Sequence, residues 1–228
     1  MAEEYIRPGS ATSETIAEMN LIETIRNILR DLTTPIREFN DAIIDFEEGR
    51  YEAVKVRYAR VRNRKNEIED NVIKSTEYMI RVGPGLLFKD IYANILSALN
   101  AAAERVEAFM YRLYLLTTFD KIRFGDEIVS NVQEMIKIVL QQIESADVML
   151  TYVASNPKRA VNEYLKSVKL EDTLDDVYRA VSISVLKTFT TNVAVLMLVK
   201  EMVDKIEDLG DILKSIATQL HYIALHKV

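Results

Sequence analysis

Apolar residues recur three and four positions apart along most of this chain. The first run predicts one long helix that ends at Gly49 and is kinked at Pro35, because proline removes a backbone hydrogen bond and crowds the preceding turn. The apolar positions of this helix are Ile22, Ile25, Leu29, Leu32, Ile36, Phe39, Ile43 and Phe46. A second run reaches the break at Gly83-Pro84-Gly85, and a third covers roughly residues 86–116.

The pattern then starts again, so that the chain is built twice. A fourth run begins at Gly125-Asp126, with Asp126 as the expected N-cap, and its Val129 lies 107 positions after Ile22. Asn156-Pro157 opens a fifth helix, and a sixth begins near Thr190-Thr191. Such spacing over several turns is typical of long helices packed nearly parallel or antiparallel.

No stretch alternates as a strand would, so the predicted fold is all-α, with six long helices in two tandem three-helix units. We expect a flexible N-terminus at residues 1–13. The repeats are predicted at residues 14–118 and 119–228, packed as a single compact domain.

Composition narrows the function classes. The 228-residue chain is 49% apolar and 28% charged, and it has no cysteine, which excludes disulfides and thiolate metal sites. Its net charge of −6 argues against nucleic acid as the main partner. The N-terminus lacks a signal-peptide pattern, and the most apolar stretch, Val193–Val199, is shorter than the roughly 20 residues of a membrane span. We therefore expect a cytoplasmic protein.

Acidic residues repeat between the halves at a shift of 104 positions. Glu67 and Asn71 correspond to Glu171 and Asp175 on the second helix of each half. On the third helix of each half, Asn100, Glu104 and Glu107 correspond to Asp204, Asp208 and Asp211. At about 100° per residue, each set lies on one helical face.

Converging carboxylates repel each other unless protons, arginines or a cation relieve the repulsion. Oxygen-only ligands suit magnesium, calcium, manganese or iron, whereas zinc normally takes nitrogen or sulfur. We therefore predict metal ligands at Glu171, Asp175, Asp204, Asp208, Asp211, Glu67, Glu104 and Glu107. A shift of 105 would place Asp172 and Asp176 in the set instead, and an ordinary solvated acidic face is an equally good reading.

The kinked first helix, the repeated acidic pairs and the stretch from Val203 to Leu213 resemble the PhoU superfamily, over nearly the whole chain from about residue 14. Within it, the chain is most similar to the PhoU-related proteins that accompany Pit-type phosphate transporters. The resemblance implies a non-enzymatic cytoplasmic regulator of phosphate uptake that contacts a phosphate transporter or a sensor protein at the inner face of the membrane. It also implies divalent or iron-type metal ions on the acidic motifs, weaker in the first half because Asn71 and Asn100 replace carboxylates. Self-association is left open.

Two other functions compete with this one. A di-iron carboxylate enzyme would need Glu-x2-His pairs, but the only histidines are His221 and His226, near the end of the chain. A metal-free interaction module could use a basic face on the second helix to bind an acidic partner or anionic headgroups. That face would be formed by Arg50, Lys55, Arg57, Arg60, Arg62, Arg64 and Lys65.

Gly210 interrupts the apolar seam of the sixth helix, where glycine costs about 1 kcal/mol relative to alanine. Close approach of another helix would explain it, and neutral drift is the alternative.

Overall fold

The computed structural model describes residues 8–119 and 121–228, and these residues are mostly helical. The helices are α1 (Pro8–Asp31), α2 (Thr33–Glu47), α3 (Tyr51–Val82), α4 (Lys89–Leu116), α5 (Asp126–Tyr152), α6 (Pro157–Thr188) and α7 (Val193–Lys227), with a short 3-10 turn at Gly83–Gly85. The part of the chain described contains no β-strand. The all-α prediction is confirmed.

The first predicted helix is a kinked rod made of α1 and α2. Leu32 alone separates the two helices and keeps helical angles, with φ −64° and ψ −24°. The amide of Ile36 still donates to the Leu32 carbonyl at 3.3 Å. Pro35 has no N–H for the carbonyl of Asp31, one turn earlier, which is where α1 ends. Counting this rod once gives the six long helices that the pattern predicts.

Helix boundaries differ from the prediction by a few residues. Asp126 is the first residue of α5, and the N-cap is Gly125, whose φ of +79° favours glycine. The last helix begins later than expected, at Val193, because the side chain of Asn192 accepts a hydrogen bond from the Val195 amide at 3.2 Å. Asn156 caps α6 in the same way, and Pro157 is the first residue of this helix, as expected.

The predicted flexible N-terminus, residues 1–13, lies partly outside the described residues, and α1 already begins at Pro8. The repeat boundaries at residues 14–118 and 119–228, and their packing as one compact domain, stay predictions.

The helices form two rows. In the first row α3 packs on α4, α4 on α7, and α7 on α6; in the second, the α1–α2 rod packs on α5. The two three-helix units therefore meet along α4 and α7 in front and along the kinked rod and α5 behind. The largest fully buried side chains include Phe39, Phe46, Tyr92 and Phe109, all from the first unit.

An ion-pair bridge joins the units in the rear row. Asp147 of α5 accepts from Arg26 Nε at 3.1 Å and from Arg30 Nη2 at 2.9 Å, both on α1. Burial acts to raise the pKa of Asp147, but hydrogen bonds from Arg30 and Arg26 outweigh it, so that this pKa lies below its ordinary value. The carboxylate therefore stays charged and keeps both arginines.

Gly210 brings α6 against α7. A Cβ atom at this position would lie 2.1 Å from Leu174 Cδ2 and 3.3 Å from Gln142 Oε1. The amide nitrogen of Gln142, on α5, donates to the Gly210 carbonyl at 3.4 Å. The expected close helix approach is confirmed, and Gly210 is the point where α5, α6 and α7 converge.

We predict that Gly210→Ala lowers the free energy of unfolding, measured by urea denaturation. Overpacking against the buried Leu174 destabilises the folded state by about 1–3 kcal/mol. The higher helix propensity of alanine offsets about 1 kcal/mol of this loss. Leu174→Ala removes the clashing methyl groups, so the double variant should lose less stability than the sum of the two single variants. A fully stable Gly210→Ala protein, or strictly additive losses, would contradict the close-packing explanation.

Candidate functional site

The acids of the second half lie along the seam between α6 and α7. Glu171 is only 7% exposed, and Lys214 of α7 donates to its Oε1 at 2.6 Å. Asp175, one turn later, is half-buried, whereas Asp172 and Asp176 are exposed. Of the two registers considered, the structure therefore turns Glu171 and Asp175 toward α7.

The centre of this seam is a residue that the sequence reasoning missed. Glu207 has a pKa raised to about 7, first by burial and then by repulsion from Asp211, Asp208, Asp175 and Asp204, in that order. The signal was present in the sequence, because Glu207 follows Asp204 by three positions and precedes Asp211 by four, so all three share one helical face. We call these five residues together with Glu171 the acidic seam.

The charged form of Asp211 is also destabilised. Burial, followed by repulsion from Glu171 and Asp175 of α6, raises the pKa of Asp211 above its ordinary value. Acids from two helices therefore act on one another in the second half, as the duplicated spacing predicted.

Basic side chains neutralise part of the acidic seam. Asp208 accepts from Lys205 Nζ at 2.7 Å and lies 3.2 Å from Arg105 Nε, which reaches across from α4. The remaining partners are Lys200 and the Tyr178 hydroxyl for Asp204, and Arg179 for Asp175. Through this contact of Arg105 with Asp208, α4 of the first unit reaches the acidic seam of the second unit.

As arranged here, the seam is not shaped around a metal ion. Among the residues that the structure describes, no three His, Asp or Glu side chains lie so that they could hold one. Basic side chains contact four of the acids whose oxygens a cation would need, namely Glu171, Asp175, Asp204 and Asp208. A metal at the predicted ligands requires these side chains to turn away from their present partners.

In the first half, the corresponding acids stand apart, each with a different partner. Glu67 pairs with Arg64 at 2.7 Å, and Glu104 accepts from the Asn100 amide at 3.2 Å. Glu107 accepts from the Tyr58 hydroxyl at 2.7 Å. Asn100 occupies the position that corresponds to Asp204 in the second half. It thus supplies a hydrogen-bond donor to Glu104 instead of a repelling charge.

The basic stretch of α3 is largely paired with acids. Arg57 alone contacts Glu38, Asp41 and Asp45 of α2, with N–O distances of 2.7, 3.3 and 2.6 Å. The other pairs are Arg50 with Asp45 and Glu48, Lys55 with Glu52, Arg60 with Glu38, Arg64 with Glu67, and Lys65 with Glu69. A face balanced by acids fits these contacts better than an open basic binding surface.

The two histidines lie against aromatic rings. His221 stacks on Tyr164 with ring centroids 4.1 Å apart, and burial lowers its pKa. His226 packs on Tyr222 and Phe88, with centroids 4.2 and 5.8 Å apart. Both histidines follow Asp211, the last acid of the seam, by ten positions or more.

A large groove lies away from the acidic seam, between the α1–α2 rod and α5. Its volume is about 760 Å³. It is lined by Arg30, Thr33, Arg37, Asn40, Asp41, Gln133, Ile136, Lys137, Leu140, Gln141, Ile143, Glu144 and Asp147. Charges of both signs line it, so it does not select a ligand of one charge.

The fold has a known counterpart. The chain is similar to the crystal structure of the phosphate transport system regulatory protein PhoU from Streptococcus pneumoniae, with a TM-score of 0.64. The likeness covers 92% of this chain and 96% of that one, at 11% sequence identity. The chain has a PhoU-like fold.

Sequence comparison adds nothing to this likeness. No protein-family model matches the chain, and no curated protein matches it in sequence. Within the described residues, none of the helices has the length and apolar character needed to cross a bilayer.

We predict that Glu207→Gln removes a pH-dependent loss of stability. Because the folded pKa of about 7 lies above the ordinary 4.5, the unfolded chain releases this proton first, and stability falls as pH rises from 4.5 through 7. Glu207 is only half-buried, so solvent screening reduces the effect to about 1 kcal/mol above this window. Urea unfolding below and above the window should therefore show the variant more stable than the parent only at the higher pH.

Glu67→Gln is the matched control for this experiment, because Glu67 is exposed and pairs only with the neighbouring Arg64. Equal pH profiles for the parent and Glu207→Gln would contradict the crowding of charges around Glu207.

Proposed function

We propose that this chain is a non-enzymatic regulator of inorganic phosphate transport, acting through protein–protein contact with a phosphate transporter or sensor protein at the inner face of the membrane. The observation that carries the proposal is the likeness to a phosphate transport regulatory protein over 92% of the chain. The likeness also covers 96% of the chain of that regulatory protein.

The composition of the chain supports a binding role. With no cysteine in the sequence and both histidines packed on aromatic rings, the acidic seam contains no Cys–His or Ser–His pair of the kind that activates a nucleophile. The seam instead offers a partly exposed surface whose charges are held in fixed positions by α6 and α7.

The finer assignment is to the accessory proteins of Pit-type transporters, and it rests on the resemblance of the motifs alone. The alternative function is a metal-free module with a basic α3 face. The ion pairs of Arg57 with Glu38, Asp41 and Asp45 count against this alternative.

Metal binding by the acidic seam is the second part of the proposal. Its support is the crowding of Glu207 with four aspartates, where a divalent or iron-type cation would relieve more repulsion than the present lysines do. The cation would displace Lys200 and Lys205 from Asp204 and Asp208.

For the regulatory role, we predict that the tagged full chain co-purifies with a phosphate permease or phosphate sensor from detergent-solubilised native membranes. Reversing charge in the seam with Glu207→Lys/Asp211→Lys should reduce recovery. The matched control is Asp172→Lys/Asp176→Lys, which changes exposed acids that point away from α7. Failure to recover either kind of protein, in phosphate-rich and in phosphate-poor cells, would refute the role.

For the metal, we predict that protein purified without chelators carries magnesium, manganese, calcium or iron by elemental analysis. Asp204→Asn/Asp208→Asn should lose it, because two of the oxygen ligands become amides. Asp172→Asn/Asp176→Asn should keep it. Equal, near-zero metal in the parent and both variants would remove cation binding without touching the regulatory role.

A further inference from the structure

Helices α3 and α6 are the second helices of the two predicted three-helix units, and both are 32 residues long. They can therefore be compared position by position. The fourth and eleventh residues of α3, Val54 and Val61, are 0% and 1% exposed. The same places in α6 hold Ala160 and Ser167, which are buried to the same extent. The first half of α6, residues 157–171, thus fills with a methyl group and a hydroxyl the core positions where α3 has branched apolar side chains.

Polar groups in the first half of α6 are buried without full pairing. The Ser167 hydroxyl has no hydrogen-bond partner within the described protein. Ser145 of α5 donates to the Glu163 carbonyl at 3.4 Å, longer than the roughly 3.0 Å of a good hydroxyl hydrogen bond. Glu171 is 7% exposed and is held by Lys214 of α7. These groups would gain hydration if α6 moved away, whereas the valines of α3 would lose burial.

Charges act on the two helices in opposite directions. Arg57 in the first half of α3 pairs with three acids of α2, so that charge holds this part of α3 in place. Glu171 in the first half of α6 is one of the acids that repel Asp211 across the acidic seam. Moving α6 away from α7 would therefore relieve repulsion, while moving α3 away from α2 would break ion pairs.

The second half of α6 is anchored more firmly than the first. Leu174 lies against Gly210 of α7, and Val181 and Val185 are fully buried. Leu174 corresponds to Ile68, the eighteenth residue of α3, so both helices carry large apolar core residues from this position onward. The weakly held part of α6 is thus confined to its first half.

We infer that residues 157–171 of α6 open locally from α5 and α7 while the rest of the bundle stays folded. The open form is a minor state of the chain, reached on the timescale of hydrogen exchange. Opening takes Glu171 out of the acidic seam, so a ligand that needs the acids of both helices would draw α6 closed. The inference goes beyond the proposed function, because it concerns the chain without transporter or metal.

Helix capping acts against this opening. The side chain of Asn156 accepts from the Arg159 amide at the start of α6, whereas Arg50 before α3 makes no side-chain cap bond. If capping decided the local stability, α6 would be the better protected helix. Faster opening of α6 must therefore come from its core positions and from the charges across the seam.

Aromatic contacts oppose both openings to a comparable extent. Tyr164 of α6 stacks on His221 of α7 with ring centroids 4.1 Å apart. Tyr58 of α3 stacks on Tyr114 of α4 with centroids 5.0 Å apart. These contacts thus do not favour one helix over the other.

The test is hydrogen–deuterium exchange of the full chain at neutral pH, followed by mass spectrometry. Peptides from residues 157–171 and 51–65 cover the same turns of equally long helices, so fraying at the helix ends is matched. After correction for intrinsic exchange rates, we expect the α6 peptide to exchange about tenfold faster than the α3 peptide.

Single substitutions test the cause of the difference. Ser167→Ala removes the unpaired hydroxyl and should slow exchange of the α6 peptide about threefold, with no change in the α3 peptide. Val61→Ser should speed exchange of the α3 peptide about tenfold. The matched control is Ser75→Ala, because Ser75 is 3% exposed and donates to the Asn71 carbonyl at 2.5 Å. This control gains the same helix propensity but loses a hydrogen bond, so it should not slow exchange in α3.

Three results would overturn the inference. They are equal or slower exchange in the α6 peptide, exchange of the whole chain in one cooperative step, and faster exchange in Ser167→Ala, which would show that this hydroxyl is stabilising. If α6 opens as expected but the chain neither carries a metal nor recovers a permease, the proposed function fails and the inference stands.

Discussion

The close contact of α6 with α7 at Gly210 is the constraint on which the candidate site depends. With no side chain at this position, Leu174 can lie against the α7 backbone, so the carboxylates on either side of the contact come within reach of one another. Glu171 and Asp175 flank Leu174 on α6, while Glu207 and Asp211 flank Gly210 on α7. A wider separation would let water screen these charges, and the raised pKa values of Glu207 and Asp211 would return toward their ordinary range. Gly210 is thus a packing residue with an electrostatic consequence.

Much of this arrangement could be predicted from the sequence. The spacing of apolar residues predicted the six rods, and the kink by Pro35 followed from the hydrogen bond that proline cannot make. The duplicated acids predicted which faces of α6 and α7 meet, because a helical face follows from residue spacing alone. Gly210 interrupts an apolar seam, and of the two explanations, close helix approach and neutral drift, the structure supports the first.

Other features depend on contacts between distant parts of the chain, which spacing does not specify. Arg105 reaches Asp208 only because α4 of the first unit packs beside α7 of the second. Lys200 and Lys205 lie in the same stretch as the acids that they neutralise, yet the sequence does not determine whether a long flexible side chain turns toward the seam or toward water. The same holds for Arg57, whose three partners on α2 turned an apparent basic face into a balanced one. Whether the acidic seam exchanges these internal cations for a metal depends on that competition.

The fold separates two kinds of surface along its long axis. The acidic seam lies in the middle of α6 and α7, where the packed helices hold the carboxylates in place. At one end of the bundle, Leu87 is 87% exposed, on a turn anchored by its buried neighbours Leu86 and Phe88. Asp211 precedes Lys227 by sixteen positions on α7, about 24 Å, so a substitution at the apolar end would leave the charges of the seam unchanged. A partner that binds the seam must compete with internal cations, because Asp208 already accepts from Lys205 and Glu171 from Lys214. Such a partner would have to offer cationic groups that displace these lysines, and it would bind more weakly at high ionic strength.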